Sequence, residues 1–129
     1  MNARTAWRRV LIAAVTAMAA CANPAGPSDV AEFTIDVDGE RFVLRLTDRE
    51  SIALAEQNRQ GRNQRFPSGP LRSGDGGFNG PWTWHLDPAA TRLVEAAIEV
   101  CDGRPSYVER NQGDYPTYCP WGARVVGRR

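Results

Sequence analysis

Between Phe33 and Leu46 the chain alternates in polarity twice. Phe33, Ile35 and Val37 are interleaved with Thr34, Asp36 and Asp38; after Gly39, Phe42, Leu44 and Leu46 face away from Arg41, Val43 and Arg45. A period of two predicts strands. Asp38-Gly39 is a favoured two-residue hairpin turn, because both central positions need positive φ. The string Asp36-Val-Asp38-Gly39 also has the look of a calcium loop, but a third ligand before the glycine and a later glutamate are missing. The hairpin accounts for it.

Thr47 with Glu50 forms a capping box that predicts a helix from about Asp48 to Gln60, stopped by Gly61. Its apolar side, Ile52, Leu54 and Ala55, is thin, so the helix should lie on a sheet. Residues 61–81 contain six of the 12 glycines together with Pro67, Pro70 and Pro81. They predict a long exposed loop, with a short extended piece around Leu71, and loops of that length are often functional. From Trp82 to Asp87 the pattern again has period two, with Trp82, Trp84 and Leu86 on one face and Thr83, His85 and Asp87 on the other. Residues 94–101 fit a strand through Val94, Ala96, Ile98 and Val100, or a helix through Leu93, Ala97, Val100 and Cys101. The strand is preferred because Glu95 and Glu99 fall opposite its β-branched positions. Asp102-Gly103 predicts a turn, Pro105 to Glu109 a short helix, and Ala123 to Val126 a last edge strand. The expected fold is α+β: a small antiparallel sheet of four or five strands with one main helix and one disulfide.

The first 20 residues follow another logic. Arg4, Arg8 and Arg9 precede an apolar run from Val10 to Ala20 that only Thr16 interrupts. This is the layout of an export signal, and the run is too short to span a bilayer, which takes about 20 residues. It ends in Met18-Ala19-Ala20-Cys21, similar to the lipobox of bacterial lipoproteins, with Met18 where leucine is usual. The resemblance implies cleavage before Cys21 and a diacylglycerol on that cysteine. The expected layout is a signal peptide over 1–20, a flexible tether over 21–31 and one domain over 32–129. The protein would be exported and lipid-anchored in the cell membrane or an outer membrane. Ala22 is not the aspartate that tends to retain lipoproteins at an inner membrane.

Cysteine usage agrees with this address. Exported thiols tend to be paired, and the chain has three. With Cys21 assigned to lipid, Cys101 and Cys119 are able to form one bridge. One histidine and no Cys-x-x-Cys argue against zinc, and neither metal nor cofactor is expected. Removing residues 1–20 from the 129 leaves 109, enough for one domain with a modest core. Those residues hold 13 of the 16 basic side chains against 15 acids, a net charge near −2 with the signs interspersed. No basic face stands out, so nucleic acid is a poor partner. A monomer is expected.

The second half carries a recognisable pattern: His85-Leu-Asp-Pro88, Ala97-Ile-Glu-Val-Cys101-Asp, Pro105-Ser-Tyr-Val-Glu109, then Cys119-Pro-Trp121 with Arg124. It is similar to a family of small exported domains, found alone or at the start of longer proteins, loosely labelled calmodulin-binding-protein-like. The likeness extends over about residues 33–126 and is most specific in 82–124. It implies the disulfide and a single compact domain, and it implies no enzyme activity. The Pro-Tyr-rich stretch before Cys119 is shorter here.

Candidate chemistry is sparse. His85, of the one residue type that titrates near neutrality, shares a predicted face with Asp87 and could form an acid–base dyad. Ser68, Ser73 and Ser106 stand in no nucleophile motif, so His85 reads as a structural or surface residue. Gly74-Asp-Gly-Gly77 lacks the lysine and hydroxyl of a phosphate loop. The aromatics are more suggestive. Trp82 and Trp84 read as core, while Tyr115 and Tyr118 read as surface residues. With Trp121 and the nearby Arg104 and Arg124, those tyrosines form the predicted binding set for a protein or glycan. The expected function is a non-enzymatic, lipid-anchored envelope binding module, in its sharper form an inhibitor of an exported enzyme. The alternatives are a small hydrolase using His85 and Asp87, or a structural envelope lipoprotein.

Overall fold

A computed structural model describes residues 29–98 and 100–129. The expected signal peptide, the lipidated Cys21 and most of the tether lie outside the described residues. The described chain opens with β1 (Ala31–Val37) and β2 (Glu40–Leu46), joined by the predicted hairpin. Asp38 and Gly39 have φ of 51° and 86°, the positive values that the turn needs. Phe33, Ile35, Phe42, Leu44 and Leu46 are all buried.

Helix α1 (Arg49–Arg59) follows. Its N-cap is Asp48, whose carboxylate accepts from the Ser51 amide at 2.9 Å. The expected Thr47 cap is corrected: the Thr47 hydroxyl donates instead to the Pro88 carbonyl at 3.1 Å, and Asp48 stands one residue closer to the amides that need an acceptor. The helix buries Ser51, Ala55 and Asn58, two of them polar, which is why its apolar side looked thin. Ser51 Oγ accepts from the Leu93 amide at 3.1 Å and ties the helix to the sheet beneath.

The largest departure from expectation is β3 (Phe66–Ser73), a strand in the middle of the predicted loop. It pairs antiparallel with three short strands in succession: β5 (Arg92–Val94) along 66–68, β6 (Thr117–Tyr118) along 69–70, and β4 (Trp84–Leu86) along 71–73. Pro70 has no N–H to lose from a ladder, yet its carbonyl accepts from Asp87 N at 3.0 Å, while Leu71 N donates to the Pro116 carbonyl at 3.2 Å. Gly69 is needed for close approach, since a Cβ there would collide with the side chain of Thr91. β7 (Arg124–Arg128) pairs with β1 as the predicted edge strand. The strands thus divide into two antiparallel sheets, β2-β1-β7 and one built on β3.

Side chains join the two sheets. The Asn79 amide is buried; its Oδ1 accepts from Val43 N and its Nδ2 donates to the Trp84 carbonyl, each at 2.7 Å. Trp82 Nε1 donates to the Arg41 carbonyl at 2.7 Å. Polar groups on β2 are thereby satisfied without another strand. Between the sheets Phe42, Trp84 and Tyr118 pack with ring centroids 5.3–5.9 Å apart.

The strand expected over 94–101 is also corrected. In the β5 register Val94 opposes Phe66, the first residue of β3, so the ladder ends where its partner begins. The chain beyond leaves the sheet, and Ile98 and Val100 protrude into solvent. It re-enters the core at Cys101, bridged to Cys119 with a Cα–Cα distance of 5.1 Å. Helix α2 (Pro105–Arg110) is the short helix that the sequence predicts.

Candidate functional site

The predicted site residues separate into two groups. Tyr115 and Tyr118, expected on the surface, are core residues, Tyr118 with no exposed area. Their hydroxyls donate to the carbonyls of Asp102 and Gly103 at 2.8 and 2.6 Å, pinning the turn that follows Cys101. Burial raises both phenols above their ordinary range, so they remain neutral donors. Arg104 lies 3.8 Å from Asp38 at the hairpin turn and does not line the groove described below.

His85 and Asp87 do not form a dyad. His85 Nδ1 bonds the Gly74 carbonyl at 2.7 Å, and its ring meets Phe78 edge-on. The Asp87 carboxylate accepts from Arg72 at 3.0 Å and from Ala89 N at 3.0 Å. Arg72 holds it below the usual carboxylate range. Its charge is thus committed to the strand partner and the following turn.

Trp121 and Arg124 are brought together. They line a groove of about 620 Å³ between the C-terminal end of α1 and the last segment of the chain, within the range of about 300–1,000 Å³ usual for small-ligand sites. One wall is Asn58, Arg59, Gly61, Asn63 and Gln64. The other runs from Trp121 through Gly122 and Arg124 to Val126. No aspartate or glutamate lines it.

Each wall is held from behind. The last turn of α1 closes with Gly61 N donating to the Asn58 carbonyl and Arg62 N to that of Gln57. This double cap is stabilised by Gly61 at a φ of +75°. Asn58 is the hub. Its Nδ2 reaches the Arg65 carbonyl at 2.9 Å and Asn63 at 3.2 Å, and its Oδ1 accepts from Val125 N at 2.9 Å. One buried amide therefore connects helix, loop and β7. Asn63 adds a bond to the Leu54 carbonyl at 2.9 Å.

On the far wall, the Trp121 amide donates to Asp102 Oδ1 at 2.9 Å, two residues beyond the bridged Cys119. The indole is 53% exposed although its backbone is anchored. A bulge in the β1–β7 pairing sets Gly127 against Thr34 and Val125 against Ile35, leaving Val126 unopposed and exposed at the groove. Bulges of this kind re-aim a side chain.

Residues 28–129 match the family model of the BP-74 N-terminal domain. The chain belongs to that family. The matched stretch includes both walls of the groove and the disulfide behind it. No curated protein and no solved structure matches the chain.

Sequence reading missed Asn58 and Asn63. The available signal was the run Asn58-Arg-Gln-Gly61-Arg-Asn63, with amides flanking a helix-stopping glycine, a composition that suits side-chain capping of helix ends. Among the described residues no helix is long and apolar enough to cross a membrane, and no three His, Cys, Asp or Glu side chains are grouped to hold a metal.

Proposed function

We propose that this domain is a lipid-anchored, non-enzymatic binding module of the cell envelope, taking a protein or glycan in the Trp121–Arg124 groove. The observation that carries this reading is a half-exposed indole on an anchored backbone, beside a groove of mixed polar lining. Rigid aromatic rings flanked by amides and guanidinium groups provide contact area at low entropic cost. The basic start, short apolar run and Met-Ala-Ala-Cys21 ending support the lipid anchor. The likeness to domains labelled calmodulin-binding-protein-like adds a pointer to binding and none to catalysis.

The test is affinity capture from detergent-solubilised envelope, comparing the wild-type chain with Trp121→Ala and Arg124→Gln. The wild type should retain a protein or glycan that both variants lose, with unchanged circular dichroism and an intact disulfide. Equal retention by all three chains would remove the groove from the function. For the anchor, intact mass should show a diacylglycerol-sized addition on a chain beginning at Cys21, absent from Cys21→Ser.

A further inference from the structure

We infer that the groove takes an acidic saccharide, a short run of sugar rings bearing carboxylates. This deepens the binding-module reading and rests on it. Three features of the groove converge on that ligand class.

The first is the indole of Trp121. Its backbone is fixed by the bond to Asp102 and by the disulfide two residues earlier, and half of its surface stays open. The electron-rich face of an indole suits the polarised C–H groups of a pyranose ring. The second is the unspent hydrogen-bonding capacity opposite. Asn58 and Asn63 are committed to holding the wall, whereas the exposed Gln64 carboxamide bonds no described residue. It can both donate to and accept from sugar hydroxyls.

The third is charge. Arg124 is exposed on β7 and pairs with no carboxylate among the described residues, and no acid lines the groove. Arg59 across the groove is held by Glu56 at 3.0 Å. The free guanidinium of Arg124 presents the planar fork that carboxylates accept in bidentate fashion. A helix C-terminus would ordinarily disfavour an anion. Here the Asn58 and Gln57 carbonyls at the end of α1 already accept from Gly61 and Arg62, which blunts that repulsion.

The experiment is isothermal titration of the full chain in detergent with trigalacturonate and trimannuronate, each against its neutral methyl ester. At least one acid should bind, about tenfold more tightly than its ester, and the difference should shrink in high salt. Arg124→Gln should lower the acid to the level of the ester without changing the ester, while Gln64→Ala should weaken both. Trp121→Ala should abolish both signals. Equal binding of acid and ester would overturn the acidic part of the inference. Binding of hexaglutamate in a Trp121-dependent way, with no saccharide bound, would overturn the saccharide class and leave the groove as a protein-binding site. If no probe binds and envelope capture is also indifferent to Trp121→Ala, the inference and the reading beneath it fall together.

Discussion

Tyr118 and Trp121 stand three residues apart, on either side of Cys119, and the structure sends them in opposite directions. Tyr118, in β6, points between the sheets, packs against Phe42 and Trp84, and spends its hydroxyl on the Gly103 carbonyl. Trp121, past the Cys119–Pro120 corner, turns outward to the groove. The two regions draw on similar residues, aromatic rings with polar groups nearby. The aromatic interior spends its tyrosine hydroxyls internally and leaves Trp84 Nε1 buried without a partner, whereas the groove leaves the exposed Arg124 and Gln64 side chains without partners among the described residues. An open site is marked by unspent hydrogen-bonding capacity that faces solvent, more than by residue type.

This contrast can be broken by substitution. Trp84→Ala, at the centre of the aromatic interior, should cost ~3–5 kcal/mol in urea unfolding, as large-to-small core changes do. A loss of less than ~1 kcal/mol would mean the interior is looser than its ring contacts indicate. Asn58→Ala should come next, at ~2–3 kcal/mol, because it leaves the Val125 amide and the Arg65 carbonyl to find new partners. It should weaken ligand binding as well, by loosening both walls, and hydrogen exchange should accelerate at Val125. Unchanged exchange there would show that the hub does not hold the wall.

Tyr118→Phe removes only the hydroxyl and should cost about 1–2 kcal/mol, with no effect on binding at the groove. An affinity change equal to that of Trp121→Ala would show that the two regions are one functional unit. The smallest effect belongs to Asp48→Asn. The Asp48 carboxylate is held below its ordinary value, first by the Ser51 amide and with a contribution from Arg92. Its stabilising effect is therefore present above the unfolded value of about 3.9 and is lost as the pH falls through the lower folded value. Asparagine keeps the cap. The variant should match wild type within about 1 kcal/mol at neutral pH and lose less stability on acidification, measured by urea midpoints across the acid range.

Local chemistry made much of the fold legible. The β1–β2 hairpin follows from alternation around Asp38-Gly39, α1 from a capping pattern one residue short of the true cap Asp48 and from Gly61, and α2 from its leading proline. The aromatic pair Trp82 and Trp84 read correctly as packed against the core. β3 read only as a short extended piece around Leu71, because Pro67, Gly69 and Pro70 are loop residues by every local rule. Three partners remote in sequence satisfy its backbone instead. At the site, Trp121 and Arg124 stood in the predicted binding set and both line the groove, while Tyr115 and Tyr118 were misplaced because a tyrosine suits an interior or a surface equally well. Asn58 was overlooked since a helical asparagine ordinarily faces water.

By itself, the sequence determined what depends on neighbours along the chain: turn geometry, the presence of helices and strand alternation. The tertiary structure decided which rings were buried, where 94–101 left the sheet, and that a polar helix end would form the wall of a groove. Those outcomes rest on pairings such as Asn58 with Val125 and Gly69 with Tyr118. Their energies arise only when distant segments exclude water together, and no local window of sequence contains both partners.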